Sequence, residues 1–181
     1  PSGGAAALVL EDYDHAVARG ATILAEGCGY GFSSNGESHI SQPSEEGCQR
    51  AMTRAMNEAG VKATDIDYVN AHGTGTPNND QSESVALQRV FGSDLPPVSS
   101  TKSFTGHTTS ASGSIETVIC LLAMHHGFIP ANLGFSHPMP DGIVPSLGAD
   151  GCQLRHVLCN AFGFGGNDSA IVLSASDKSP S

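Results

Sequence analysis

Two histidines, each set among small and hydroxyl residues, are the side chains of this sequence best suited to chemistry. One lies in Val69-Asn70-Ala71-His72-Gly73-Thr74-Gly75-Thr76-Pro77, the other in Ser100-Thr101-Lys102-Ser103-Phe104-Thr105-Gly106-His107. A glycine beside each imidazole lets a substrate or another stretch of backbone come close. Each motif follows an apolar, strand-prone run, which puts each histidine at the C-terminal end of a strand. In open α/β sheets ligands bind at that edge. Two imidazoles there can donate hydrogen bonds to one carbonyl oxygen, the chemistry that stabilises an enolate or oxyanion.

The elements that must position these residues follow from periodicity and punctuation. Residues 5–11 read as a buried strand, 13–19 as a short helix closed by Gly20, and 22–30 as a strand interrupted by glycines. The Ser- and Gly-rich stretch 31–44 reads as a loop. Ser44, Glu45 and Glu46 open a helix that ends at Gly60, with acid in the first turn as the helix dipole favours. A strand over 66–71 leads into His72, a helix spans 80–91, and a short strand over 97–100 leads to Lys102 and His107. The longest helix covers 110–126, apolar on nearly all sides in its middle and hence buried. Residues 128–145 read as irregular and proline-rich. Strands over 155–162 and 169–174 flank Gly163-Phe164-Gly165-Gly166-Asn167-Asp168, which has the chemistry of a hairpin turn. Strands alternating with helices and a closing hairpin predict an α/β fold, a mixed sheet covered by helices. The last residues, 177–181, read as a tail.

Composition narrows the function classes. The 181 residues suffice for one domain with a real core, and 39% are hydrophobic. No apolar run approaches the length of a membrane span. With eight Lys plus Arg and a formal net charge of -10, the chain is a poor partner for nucleic acid, which demands clustered cations. Cys28, Cys48, Cys120, Cys152 and Cys159 match no zinc or redox spacing and read as free thiols in a reducing cytoplasm. His125 and His126 are adjacent on a helix and so do not share a face, which argues against a metal site. The start at Pro1, with no initiator Met and no secretory leader, reads as a processed piece or part of a longer polypeptide.

Three blocks in order carry a resemblance: His-Gly-Thr-Gly-Thr-Pro at 72–77, Ser-Thr-Lys-Ser-Phe-Thr-Gly-His at 100–107 and Asn-Ala-Phe-Gly-Phe-Gly-Gly at 160–166. With their separations, and with Gly-Gly-Ala-Ala-Ala-Leu-Val-Leu-Glu at the start, they resemble the C-terminal part of a β-ketoacyl-acyl carrier protein synthase, a type I or II condensing enzyme of the thiolase superfamily. The resemblance covers nearly the whole chain. It implies a thiolase-like fold of two similar halves, with residues 1–25 closing the N-terminal half and 26–176 forming the C-terminal half. It implies a decarboxylative Claisen condensation of malonyl-carrier protein with an acyl thioester held on a cysteine. That cysteine belongs to the N-terminal half, and none of the five present here stands in a matching motif.

By the same resemblance His72 and His107 would hydrogen-bond the malonyl thioester carbonyl, and Lys102 would pair with Glu116 as a buried site lysine. The backbone N–H of Phe164 would complete an oxyanion hole while its ring gates the acyl pocket. Thr74, Thr76, Phe162, Gly163 and Gly165 would line the substrate path. Asp80 and Glu83 would cap and brace. No cofactor is implied beyond the phosphopantetheine arm of the acyl carrier protein. The implied partners are that carrier, the N-terminal half and a second copy of the complete enzyme. Asn79 stands where the family usually has Gly, Thr108-Thr109-Ser110 is more polar than usual, and Asn167-Asp168 replaces the usual Thr-Asn. These departures leave open fatty acid, polyene or other specialised products. Two competitors are a non-catalytic subunit that shapes an acyl tunnel, which would need neither histidine, and a thiolase, which would need a cysteine near 163–166.

Overall fold

A computed structural model describes residues 1–35 and 43–176. The first helix, α1 (Tyr13–Ala18), is N-capped by Asp12. The strand β1 (Glu26–Ser33) is followed by α2 (Glu45–Ala59), where the Ser44 side chain accepts from Gly47 N and Gly60 closes the end in the left-handed conformation. Next come β2 (Tyr68–Asn70), α3 (Pro77–Phe91), β3 (Val98–Ser99) and the single turn α4 (Lys102–Thr105). The helix α5 (Ser112–His126) precedes β4 (Phe128–Ile129) and β5 (Ala149–Asp150), and β6 (His156–Gly163) and β7 (Asn167–Ser174) form the closing hairpin.

The main sheet has the order β1-β7-β6-β2-β3, antiparallel through β1, β7 and β6 and parallel through β6, β2 and β3. This is the mixed sheet expected from the sequence. Its faces follow the two-residue period of a strand. Val69, Leu158, Ala170 and Val172 join Ala51, Met52, Ala55 and Leu87 on the face covered by α2 and α3. Tyr68, Val157, Cys159 and Leu173 join Cys120 and Ala123 on the face covered by α5.

The way α2 lies on β1 depends on glycine. A Cβ built on Gly29 or Gly31 would overlap the carbonyl oxygens of Ala55 and Ala51, so helix and strand backbones touch directly. Gly31→Ala should therefore destabilise the fold by about 1–3 kcal/mol or more, because the obstacle is backbone. A denaturant midpoint equal to wild type would contradict that contact.

Several expectations need correction. Residues 5–11 form no strand, and Val9 and Leu10 are 93% and 90% exposed. The stretch pairs with neither edge of the sheet, and without a neighbour an extended segment has no ladder to join. Its root docks instead on the second histidine loop, where Ser2 N donates to His107 O at 2.9 Å. Pairing of β1 begins at Glu26 and takes in residues 31–33, which were expected to be loop, because the alternating glycines point at α2. The helix expected over 80–91 starts earlier, at Pro77, since proline suits the first helical turn. The irregular stretch 128–145 contains β4, which pairs with β5. The long helix begins at Ser112, after a 3-10 turn at Thr109–Ala111. It is not buried all round: only Ser112, Glu116, Cys120 and Ala123 are buried, one stripe at helical spacing that faces the sheet, while Leu122 is exposed. The expected loop residues 36–42 and the tail 177–181 lie outside the described residues.

Candidate active site

The parallel strands β2 and β3 end side by side and deliver the two histidine loops to one sheet edge. One hydroxyl ties the loops together: Ser100 Oγ donates to Gly73 O at 2.8 Å. Gly73 has a φ of 39°, and a Cβ there would meet Ser100 Cβ at 2.5 Å, so only glycine permits this approach. Asn132 Oδ1 fixes the second loop by accepting from Ser100 N at 2.9 Å.

The imidazoles of His72 and His107 meet edge to face, ring centroids 5.3 Å apart at 83°. His72 is buried, and burial, helped by the charge on Lys102 and by His107, pulls it down to about 3. His107 is partly exposed and is also held below the ordinary imidazole range, first by burial and then by Lys102. Both are neutral near pH 7. His107 Nδ1 accepts from Thr109 N at 3.2 Å, which leaves the proton of the neutral ring on Nε2. Thr109 adopts a φ of 52°, uncommon for a β-branched residue, while aiming that N–H.

Beneath them lies an ion pair. Lys102 Nζ donates to Glu116 Oε1, with the two side chains 5% and 2% exposed, and Ser112 Oγ donates to the same oxygen at 3.3 Å. Burial pushes the Glu116 carboxyl up while Lys102 and Ser112 draw it back, so the pair is the compensation each buried charge requires.

Glu83, reaching back from α3, matters more to the geometry than the sequence suggested. Its carboxylate accepts from His72 N at 2.9 Å, from Gly73 N at 2.8 Å and from Asn160 Nδ2 at 3.2 Å. It therefore clamps the His72 backbone from inside the core. Asp80 Oδ1 accepts from Gly75 N at 3.2 Å and steadies the next turn. The sequence pointed to bracing at both acids; the part of Asn160 went unread, its one signal being an amide inside a buried strand.

The β6–β7 turn completes the arrangement. The Phe162 ring is buried, 6.0 Å from that of His72. Phe164 stands 79% exposed. His72, His107, Thr74, Thr76, Phe162, Gly163 and Phe164 all border one cleft of about 650 Å³. At its mouth the Thr74 and Thr76 hydroxyls are 2.8 Å apart. Gly165 is not among the lining residues; it supplies the left-handed φ of 80° that the turn needs. All five cysteines are free. Those buried in the core are poor nucleophiles: contact with Cys159 and then burial raise the Cys120 thiol, and burial raises Cys48.

The family model of the beta-ketoacyl synthase C-terminal domain matches residues 24–136. The chain belongs to the beta-ketoacyl synthase family. The match includes both histidine loops, Lys102 and Glu116. Among individual relatives, the mitochondrial 3-oxoacyl-[acyl-carrier-protein] synthase of Arabidopsis thaliana is 40% identical over 181 residues, covering 95% of this chain and 39% of that protein. The 3-oxoacyl-[acyl-carrier-protein] synthase 2 of Vibrio cholerae is 39% identical over 177 residues, covering 93% of this chain and 42% of its own length. A beta-ketoacyl synthase from Burkholderia phymatum superposes with a TM-score of 0.86 at 36% identity, over 92% of this chain and 41% of the other. A type II PKS ketosynthase, solved with its acyl-carrier protein and bound to hexaketide, superposes at 0.84 with 32% identity, over 92% and 42%. The fold is thiolase-like, and the chain spans about two fifths of the length of the synthases it matches.

Proposed function

We propose that the chain is the C-terminal part of a 3-oxoacyl-[acyl-carrier-protein] synthase, which condenses malonyl-carrier protein with an acyl thioester in fatty acid or polyene/polyketide synthesis. The observation that carries this reading is the pair of neutral imidazoles, 5.3 Å apart, at one cleft. A neutral ring donates a hydrogen bond without delivering a full charge. His107 Nε2–H, with His72 beside it, stabilises the oxyanion that grows on the malonyl thioester as carbon dioxide leaves. The resulting carbanion attacks the acyl thioester held on a cysteine of the N-terminal half, and the thiolate departs. Phe164 supplies a backbone N–H for that second oxyanion and a ring at the cleft mouth. Thr74, Thr76, Phe162 and Gly163 bound the path of the phosphopantetheine arm, which carries the substrates, so the chemistry calls for no further cofactor. A subunit that only shapes an acyl tunnel would have no use for the histidine pair or its clamp.

On this reading residues 1–25 belong with the N-terminal half, a view supported by the family match beginning at residue 24 and by the unpaired apolar stretch before α1. The five free thiols support work in a reducing compartment, the cytoplasm. The partners are the N-terminal half, acyl carrier protein and a second copy of the complete enzyme. Tyr30, Phe32, Leu122, Val9 and Leu10 are exposed, and on this reading the N-terminal half and the second copy cover them. The isolated chain should therefore self-associate or melt without cooperativity, and a monodisperse, cooperatively melting 18.5 kDa monomer in size exclusion with light scattering would count against this assignment. Joined to its N-terminal half it should form 3-oxoacyl-carrier protein from malonyl- and acyl-carrier proteins. The isolated chain should give no substrate-protected adduct with a cysteine-directed reagent; a stoichiometric one on Cys120 or Cys159 would overturn the reading.

A further inference from the structure

The proposed chemistry leaves one fully buried acid unused, Asp168, at the start of β7. It is 0% exposed, and among the described residues neither carboxyl oxygen has a hydrogen-bond partner. In the sheet it lies opposite Phe162 on β6 and Ser33 on β1. Its Oδ2 presses against the first turn of α2, where a Cβ on Gly47 would overlap it. That turn cannot yield easily: Gly47 N is held by Ser44 Oγ at 2.9 Å, and Ser44 N donates to Asn35 Oδ1 at 3.0 Å. Gly166, two residues before Asp168 at the β7 end of the hairpin turn, is in turn packed on Asn35, with a Cβ there only 2.6 Å from Asn35 N. The base of the Phe164 turn and the N-terminus of α2 thus share one tight wall, with an unsatisfied acid inside it.

We propose that Asp168 is a positioning residue that couples the charge on this carboxyl to the seating of the Phe164 turn. Uncharged, it lets the hairpin end lie against α2. Ionised, it has no hydrogen-bond partner among the described residues, and an unpaired buried carboxylate is costly enough to draw water in or move out. The flexible side of the contact is the hairpin end, with Gly163, Gly165 and Gly166, so that is the side that moves. The charged and titratable groups around it do not remove the cost. Arg50 on α2 lowers the acid, and its Nη2 donates to Ser34 O at 2.7 Å, not to Asp168. Cys48 on α2 is a neutral thiol, raised first by burial and then by Glu83 on α3, Asp168 and Glu45, and so offers the carboxylate no counter-charge. Burial leaves Asp168 raised to about 6. Below that value the turn is seated, and above it the turn loosens. The consequence for turnover rests on the role proposed for Phe164, whereas the movement itself does not.

Hydrogen exchange of the amides of residues 163–167, corrected for intrinsic rates and followed in the complete protein from about pH 5 to about pH 7.5, tests this. Wild type should lose protection several-fold across a transition near 6, and Asp168→Asn should be flat. Arg50→Gln, a change at an exposed side chain, should move the transition to higher pH by removing the charge that favours ionisation. Parallel profiles for wild type and Asp168→Asn, or an unmoved transition in Arg50→Gln, would overturn the proposal. If Asp168→Asn does not fold, Arg50→Gln decides alone. A complete protein that shows the transition but condenses nothing would refute the proposed function and leave this inference standing.

Discussion

His72→Ala and His107→Ala, made in the complete synthase, should each lower the condensation rate by about 100- to 1000-fold, the loss expected for one oxyanion donor. Acyl loading onto the cysteine should survive far better, because its oxyanion is met by backbone N–H groups near Phe164. The pH profile adds a second signature. Burial keeps His72 down to about 3, and His107 is also held low, so any acid-side loss of condensation in wild type should lie below the ordinary imidazole value of 6.5. Two labels separate the steps: labelled acyl-carrier protein reads loading as acyl-enzyme, and labelled malonyl-carrier protein reads condensation as labelled 3-oxoacyl product. Near wild-type condensation in both variants would remove the basis of the assignment.

Removing one member of the Lys102–Glu116 pair should have the largest effect on stability. Lys102→Met leaves a carboxylate that is 2% exposed with no counter-charge, for an expected loss of roughly 3–5 kcal/mol. The double variant Lys102→Met, Glu116→Leu should recover most of it, since a buried pair replaced by apolar side chains of similar size is often neutral. Urea unfolding of the complete protein supplies the comparison. A single variant within about 1 kcal/mol of wild type would mean that the pair behaves as a solvated surface bridge. Chemistry should respond as well. Lys102 is a shared cause of the lowered values of His72 and His107. Its loss lets both rings protonate at higher pH, so the variant should show its acid-side loss of condensation at higher pH than wild type.

The sequence by itself determined the family, the α/β class and the two histidine loops at strand ends, and the resemblance implied the partnership of Lys102 with Glu116 that the structure shows. These were legible because glycines, hydroxyls and apolar runs act locally, and because three ordered blocks rarely recur by chance. Tertiary structure decided what depends on residues far apart in the chain. Glu83 became a clamp only when α3 turned its carboxylate back under His72 and Gly73. The ring exposures that make His72 neutral, and the Thr109 N–H that fixes the His107 tautomer, arise from packing and from a left-handed φ that no local pattern signals. Residues 5–11 carry a strand-like pattern yet form no strand and are mostly exposed. A strand pattern states only what a segment would bury, and a ladder also needs a neighbouring edge to hydrogen-bond.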